Sequence, residues 1–230
     1  QPDDILEGRY KIIRHVGKGA FGVVLLVEDL MVHEEIILKF LNAHMAADDS
    51  VIQRFVHELR LTRKITHENI IRIYDFITFG KSYAISMEFF DSHSLSQEIR
   101  AGKTKDFKRN TNILINICKG LGVAHQLKVV HRDIKPANIF ITQNGKVKIL
   151  DFGLAKLKRE IAESDIELPT ESTTREGTIL GTVAYISPEQ AMGKEAGPPS
   201  DIYAAGVVLF EMAMGRLPFA EDGISDLLRA

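Results

Sequence analysis

The glycine run Gly17-Lys18-Gly19-Ala20-Phe21-Gly22 restricts the folding of this chain more than any other feature. Its spacing, G-x-G-x-x-G, is shared by two different structures, and the residues after the last glycine separate them. A dinucleotide-binding turn opens a helix whose N-terminus faces a pyrophosphate. Here Val23-Val24-Leu25-Leu26-Val27 follows, a poor helix start and a good strand. The glycines are therefore expected in a strand–turn–strand flap, entered from Val16 and left through Val24, whose N–H groups can lie over phosphates. A glycine-rich hairpin needs no ligand, so the rest of the chain has to decide.

Strand character dominates as far as Phe90. Tyr10 to Val16, Val23 to Asp29 and Ile36 to Leu41 are short apolar or β-branched runs separated by turns. From Val51 to Ile65 the period becomes helical, with Ile52, Phe55, Val56, Leu59 and Leu61 recurring on one side. Ile70 to Ile77 and Tyr83 to Phe90 return to strand, with Gly80-Lys81 as the turn between them. The chain then becomes mainly helical. Thr111 to Leu127 carries Leu114, Ile117, Leu121 and Ala124 on one stripe. A hairpin, Ile139 to Thr142 and Val147 to Leu150, turns at Asn144-Gly145, which tolerates positive φ. Lys156 to Gly181 is polar and without period, as in an exposed loop. Ser200 is expected to cap a helix from Asp201 to Met214, closed by Gly215. That helix is apolar nearly all round and is expected to be buried.

Composition removes several classes of function. A formal net charge of −2, without a long basic run, argues against nucleic acid or an anionic membrane surface as the main partner. The one cysteine, Cys118, excludes an internal disulfide and fits a reducing compartment; within its apolar run it is expected to be a buried structural thiol. Ala204 to Met214 is interrupted by Glu211 and too short to span a bilayer, so no membrane segment is expected in this chain. The N-terminus has no apolar targeting region, and a start at Gln1 suggests excision from a longer protein. The eight histidines form no metal-like cluster, and His131 reads as a packed structural residue.

Polar residues in particular places carry the chemistry. Lys39 ends the apolar run Ile36-Ile37-Leu38, where its charge is costly unless it meets an anion. Glu58, on the following helix, is its natural partner. His131-Arg132-Asp133-Ile134-Lys135-Pro136-Ala137-Asn138 is followed by Asp151-Phe152-Gly153. With these motifs the chain resembles the eukaryotic-type protein kinases, matching H-R-D-x-K-P-x-N, D-F-G, the glycine flap and the strand lysine in order. The resemblance runs from about Tyr10 to the last residue. Ser187-Pro188-Glu189-Gln190, where the family usually shows A-P-E, is similar to the bacterial, Hanks-type branch.

The resemblance implies an α+β, bilobal fold. Residues 1–88 would form a small lobe with an antiparallel sheet and a regulatory helix. Residues 89–230 would form a mainly helical lobe with the catalytic loop, activation loop and central helix, and ATP would lie in the cleft. The implied activity is transfer of the ATP γ-phosphate, with Mg²⁺, to Ser/Thr hydroxyls of proteins, the chain itself among them. Asp133 would orient the hydroxyl, and Lys135, which marks the Ser/Thr class, would neutralise charge on the moving phosphoryl group. Asn138 and Asp151 are oxygen donors suited to magnesium. Lys39, paired with Glu58, would hold the α/β-phosphates. Val16, Gly17, Gly19, Gly22, Val24, Ile37, Met87 and Phe140 would surround the nucleotide, with the Glu88 carbonyl and Phe90 N–H facing adenine. Ile37 replaces the family's usual alanine and adds volume above the ring.

The resemblance also implies regulation. Arg132 would dock a phosphorylated activation loop, whose acceptors are Thr170, Ser172, Thr173, Thr174 and Thr178, with Thr173, Thr174 and Thr178 leading; a merely polar loop is the plainer alternative. Thr182 would contact Asp133 and Lys135 structurally. Asp201, in D-x-Y-x-x-G with Tyr203 and Gly206, would accept hydrogen bonds from the catalytic-loop backbone. The family's last helices would be missing, with the arginine that pairs with Glu189. The setting would be cytoplasmic, as the cytosolic domain of a longer or membrane-anchored protein. A rival reading is a pseudokinase-like nucleotide-binding scaffold, marked by loss of the lysine, the catalytic aspartate or the metal ligands; Lys39, Asp133, Asn138 and Asp151 are all present. A dinucleotide oxidoreductase would require a helix after Gly22.

Overall fold

A computed structural model describes residues 2–19, 22–41, 49–152 and 184–219. Apolar alternation in its first part builds one sheet of six strands: β1 (Ile5–Leu6), β2 (Tyr10–Gly19), β3 (Gly22–Asp29), β4 (Glu34–Phe40), β5 (Ile73–Phe79) and β6 (Ser82–Glu88). Their order is β1-β2-β3-β4-β6-β5, and every neighbouring pair is antiparallel. Gly22 opens a strand rather than a helix, which removes the dinucleotide-turn alternative.

Alternate residues face opposite sides of a strand, and direct cross-strand partners share a face. Leu25 and Val27 pair with Leu38 and Ile36, and with Tyr10 and Ile12 form a cluster in which no member exceeds 6% exposure. Phe40 and Phe79 extend it, their ring centroids 5.2 Å apart, and Tyr10 meets Phe79 at 5.9 Å. That last contact joins β2 to β5 and so curls the sheet. The other face receives helix α1 (Asp49–Thr62). Phe55, 1% exposed, packs against Phe76 at 5.7 Å, and Phe76 stacks on Tyr83.

This sheet and α1 form one compact unit, comprising residues up to Thr66 together with Ile71–Phe90. A second unit holds His67–Ile70 and the described residues from Asp91 onward. Ile70 does not join β5, as its apolar neighbours suggest. The Asn69 amide donates to the Val147 carbonyl at 2.8 Å, and Ile70 bridges Ile149 in parallel.

The second unit is built on α3 (Phe107–Gln126) and α5 (Pro198–Met214), which pack together. A small sheet, β7 (Ser92–Ser94), β8 (Ile139–Thr142) and β9 (Val147–Ile149), lies beside them. Helix α3 comes close to β9 at Gly120, where an added Cβ would sit 3.1 Å from Ile149 Cδ1. Short α2 (Leu95–Arg100), not expected from the sequence, starts with a capping box between Ser94 and Gln97. Its Glu98 is buried and accepts from the two terminal Arg109 guanidinium nitrogens, Nη1 and Nη2, at 2.7 Å each, with His93 Nε2 at 2.6 Å. Burial pushes this carboxylate up, but the Arg109 and His93 bonds outweigh it and hold Glu98 below its ordinary value.

Four local expectations are corrected. Helix α3 begins at Phe107, capped by Asp106, and turns Ile113 rather than Leu114 fully inward. Cys118 is exposed, not buried, because it follows inward-facing Ile117 and lies about 100° further round the helix. Helix α5 starts at Pro198 after Gly197, since proline is preformed for the first helical turn, and Ser200 lies inside it. Nor is α5 covered all round: Ile202 is 51% exposed and Met214 56%. Among the described residues, no helix is long and apolar enough to cross a membrane.

Candidate active site

Strand register gathers most of the expected nucleotide residues of the first unit on one face. Val24 pairs with Lys39, Ile37 with both Leu26 and Met87, and Lys39 also with Ile85. Val24, Ile37, Lys39 and Met87 therefore share the face opposite the Leu25–Leu38 cluster. Phe76 pairs with Ile85 on that same face, so Phe55 docks α1 there. Glu58 follows Phe55 by three residues, which places it on the same side of α1. Lys39 and Glu58 are both partly buried. The glycine flap is a hairpin pairing Gly17 with Val24 and Gly19 with Gly22, and Val16 before it is 46% exposed. Glu88 ends β6, its N–H bonded to the Arg72 carbonyl, and Phe90 follows just past the strand. Phe140 belongs to the second unit, on β8.

In the second unit the loop before β8 concentrates charge and constraint. Asp133 Oδ2 lies 2.9 Å from Lys135 Nζ and accepts the Asn138 amide N–H at 3.2 Å. The same Asn138 nitrogen donates to the Asp133 carbonyl at 2.7 Å. With that nitrogen committed, Asn138 offers its amide oxygen as the remaining polar end, the donor type magnesium takes. The Leu150 N–H donates to the Asn138 carbonyl at 2.9 Å, which sets Asp151 one residue beyond that link. Asp151 has φ +65° and Arg132 φ +68°, conformations costly for side-chain-bearing residues and common at functional sites.

Buried partners hold these conformations. His131, 0% exposed, lies 2.7 Å by Nε2 from the Leu150 carbonyl. A carbonyl only accepts, so Nε2 carries the proton and Nδ1 accepts the Asp133 N–H at 3.2 Å. Phe152 packs edge-on to the ring at 4.6 Å. Asp201, 1% exposed, accepts the His131 N–H on Oδ2 and the Arg132 N–H on Oδ1, each at 2.8 Å. The sequence reading foresees this role for Asp201 and the structural role of His131.

Other supports are not foreseen. His125 donates from Nε2 to Asp201 Oδ2 at 2.8 Å, although nothing in its local sequence marks it. Gln190, on the short helix α4 (Pro188–Ala191), donates to the Arg132 carbonyl at 3.0 Å and closes a capping box on Ser187; the S-x-x-Q spacing is the signal for it in the sequence. Glu189 accepts the Ser200 hydroxyl at 2.5 Å, which holds it below its ordinary value. Tyr185 donates to Glu211 Oε2 of α5 at 2.5 Å. Gly153, Thr170, Ser172, Thr173, Thr174, Thr178 and Thr182 lie outside the described residues.

Among the described residues no three His, Cys, Asp or Glu side chains converge as a metal cage. Magnesium does not need one, since it binds through one or two protein oxygens with phosphates and water completing the shell. Asn138 and Asp151 fit that pattern.

A curled antiparallel sheet with one helix, a helical second unit and this charged loop define a protein kinase domain. The protein kinase domain family matches residues 10–229, and the chain belongs to it. It is 38% identical over 225 residues to the serine/threonine-protein kinase PrkC of Bacillus subtilis (strain 168), covering 97% of this chain and 33% of PrkC. It is 35% identical over 219 residues to the probable serine/threonine-protein kinase PknB of Lactococcus lactis subsp. lactis (strain IL1403), covering 95% of this chain and 33% of that protein. The chain thus spans about a third of the length of these curated relatives. The solved kinase domain of Mycobacterium tuberculosis PknI has the same fold, with a TM-score of 0.72 at 24% identity over 100% of this chain and 86% of that one.

Proposed function

We propose that this chain transfers the γ-phosphate of ATP to serine and threonine hydroxyls of proteins. The observation that carries the reading is the convergence of Lys135 and Asn138 on the Asp133 carboxylate, in a loop clamped by buried His131 and Asp201. Phosphoryl transfer asks little covalent chemistry of a protein; positioning and charge neutralisation carry it. Asp133 accepts a hydrogen bond from the substrate hydroxyl and aims its oxygen at the γ-phosphorus. Lys135, already held at the aspartate, balances the negative charge shared between nucleophile and moving phosphoryl group.

Lys39, supported by Glu58, engages the α/β-phosphates. Val16, the flap glycines, Val24, Ile37, Met87, the Glu88 carbonyl, the Phe90 N–H and Phe140 receive the nucleotide. Asn138 and Asp151 would hold magnesium, which supplies charge neutralisation on the phosphates when bound.

The functional lobes are assigned to residues 1–88 and 89–230, and use of ATP supports a cytoplasmic setting. Relatives named serine/threonine kinases support the substrate class, with Ser/Thr-bearing proteins, the chain itself included, as partners. Arg132 is the cation for a phosphorylated loop, with Thr173, Thr174 and Thr178 as its acceptors.

Radiolabelled ATP with magnesium and a general protein substrate, on wild type and Asp133→Ala, tests this. Loss of the oriented base should cost about 10²-fold or more in incorporation. Equal incorporation by the two proteins would overturn the reading.

A further inference from the structure

Glu88 ends β6, and its link to β5 is irregular. Ile73 pairs with Met87, after which a register shift puts Asp75 opposite Ser86. Ser86 Oγ bridges that step by accepting the Asp75 N–H at 2.9 Å. On the other side of Met87, the Glu88 N–H donates to the Arg72 carbonyl at 3.0 Å. A regular hydrogen-bonded antiparallel pair exchanges two main-chain bonds, so the Arg72 N–H would aim at the Glu88 carbonyl. It donates instead to the side chain, Glu88 Oε1, at 2.7 Å. One main-chain bond and one charge-assisted bond close the pair, and the charge-assisted kind is the stronger.

We propose that the Glu88 carboxylate is a positioning residue for purine selection: by engaging the Arg72 N–H, it keeps that donor from competing with the 6-amino group of adenine for the Glu88 carbonyl. The inference rests on the reading that the Met87–Phe90 segment faces adenine. A 6-amino purine donates a hydrogen bond to a backbone carbonyl, whereas a 6-keto purine presents an acceptor and is disfavoured there. Without the carboxylate, the Arg72 N–H is drawn into the regular pair and the carbonyl loses its preference for the amino purine. Glutamine keeps an acceptor oxygen at the same reach; alanine does not.

Equilibrium binding of ATP and ITP, each with magnesium, to wild type, Glu88→Gln and Glu88→Ala tests this. Glu88→Ala should weaken ATP by up to about tenfold, the worth of one hydrogen bond, and leave ITP unchanged, so the ATP/ITP ratio collapses. Glu88→Gln should stay within about twofold of wild type for both nucleotides. Glu88→Met, which keeps the bulk without the acceptor, takes the place of alanine if that variant does not fold. Parallel weakening of both nucleotides, or an unchanged ratio in a folded variant, overturns the proposal. A wild-type chain that binds neither nucleotide overturns the adenine reading itself, and that failure is visible before any substitution is made.

Discussion

Asp201 Oδ1 accepts the Arg132 N–H at 2.8 Å, and Arg132 is held there at φ +68°. A buried carboxylate on α5 thus stabilises a strained turn next to Asp133, and its other oxygen takes the His131 N–H and the His125 ring. Asp201→Asn keeps the shape but removes the charge and sets an amide N–H₂ against donors. It should cost about 3 kcal/mol in urea unfolding, because hydrogen bonds to a buried charge are lost and their donors stranded. Among molecules still folded, kcat should fall while the KM for ATP changes little, since the turn carries Asp133 rather than a nucleotide contact. Unaltered unfolding would show that Asp201 is not the clamp.

Lys135→Met removes the cation beside Asp133 while keeping much of the side-chain bulk. Its 2.9 Å contact is largely shielded, with 16% of the lysine side chain and 13% of the aspartate exposed. Rapid-quench phosphorylation should show the chemical step slowed by about 10²-fold or more, in the range lost with one charge-stabilising group. ATP affinity by calorimetry should be nearly unchanged. A large drop in ATP affinity with normal chemistry would contradict the assigned role.

Burial raises the Glu211 carboxyl above its ordinary value of 4.5, and the Tyr185 hydrogen bond pulls part of that rise back. For a carboxylate raised on folding, the protonated native form is favoured. Its contribution to stability is complete below the unfolded value and is lost as pH climbs through the folded one. Tyr185→Phe removes the opposing bond, so Glu211 should rise further. The variant should be less stable than wild type by about 1–2 kcal/mol near neutral pH, and by much less near pH 4. Melting at both pH values checks this; a difference independent of pH would rule out the linkage.

Gly120 and Gly122 lie two residues apart on α3 in opposite circumstances. At Gly122 an added Cβ meets nothing within 4 Å, whereas at Gly120 it would lie 3.1 Å from Ile149 Cδ1 and 3.3 Å from the Asn69 carbonyl oxygen. Gly122→Ala should gain about 0.5–1 kcal/mol from reduced helix entropy cost. Gly120→Val should lose about 1–3 kcal/mol by pushing α3 from β9. Denaturant titration of the two variants should move the midpoint in opposite directions.

What can be read in the sequence is what short-range pattern encodes. Strands β3 and β4 are legible because Leu25, Val27, Ile36 and Leu38 alternate with residues of the other face. The charged loop is legible because Asp133, Lys135 and Asn138 lie within six residues and must converge once Pro136 opens a turn. Long-range partners leave little trace. His125 reaches Asp201 across 76 positions and Asn69 reaches Val147 across 78, and neither side chain differs locally from an ordinary surface residue. Ser200 resembles a helix cap, but the prolines before it already fix the backbone for helix. Cys118 shows that an apolar run on a helix contains outward positions as surely as inward ones.

The pairing of Lys39 with Val24 has a consequence for tolerated length changes. Strand alternation has a period of two, so one residue inserted within β4 ahead of Lys39 would exchange its faces. The ammonium would then point into the Leu25–Leu38 cluster, and Leu38 would take its place. Two inserted residues would restore the phase. Natural or engineered variation around this lysine should therefore come in even steps inside the strand, while odd steps should gather in the turn before Glu34, where phase is not at stake.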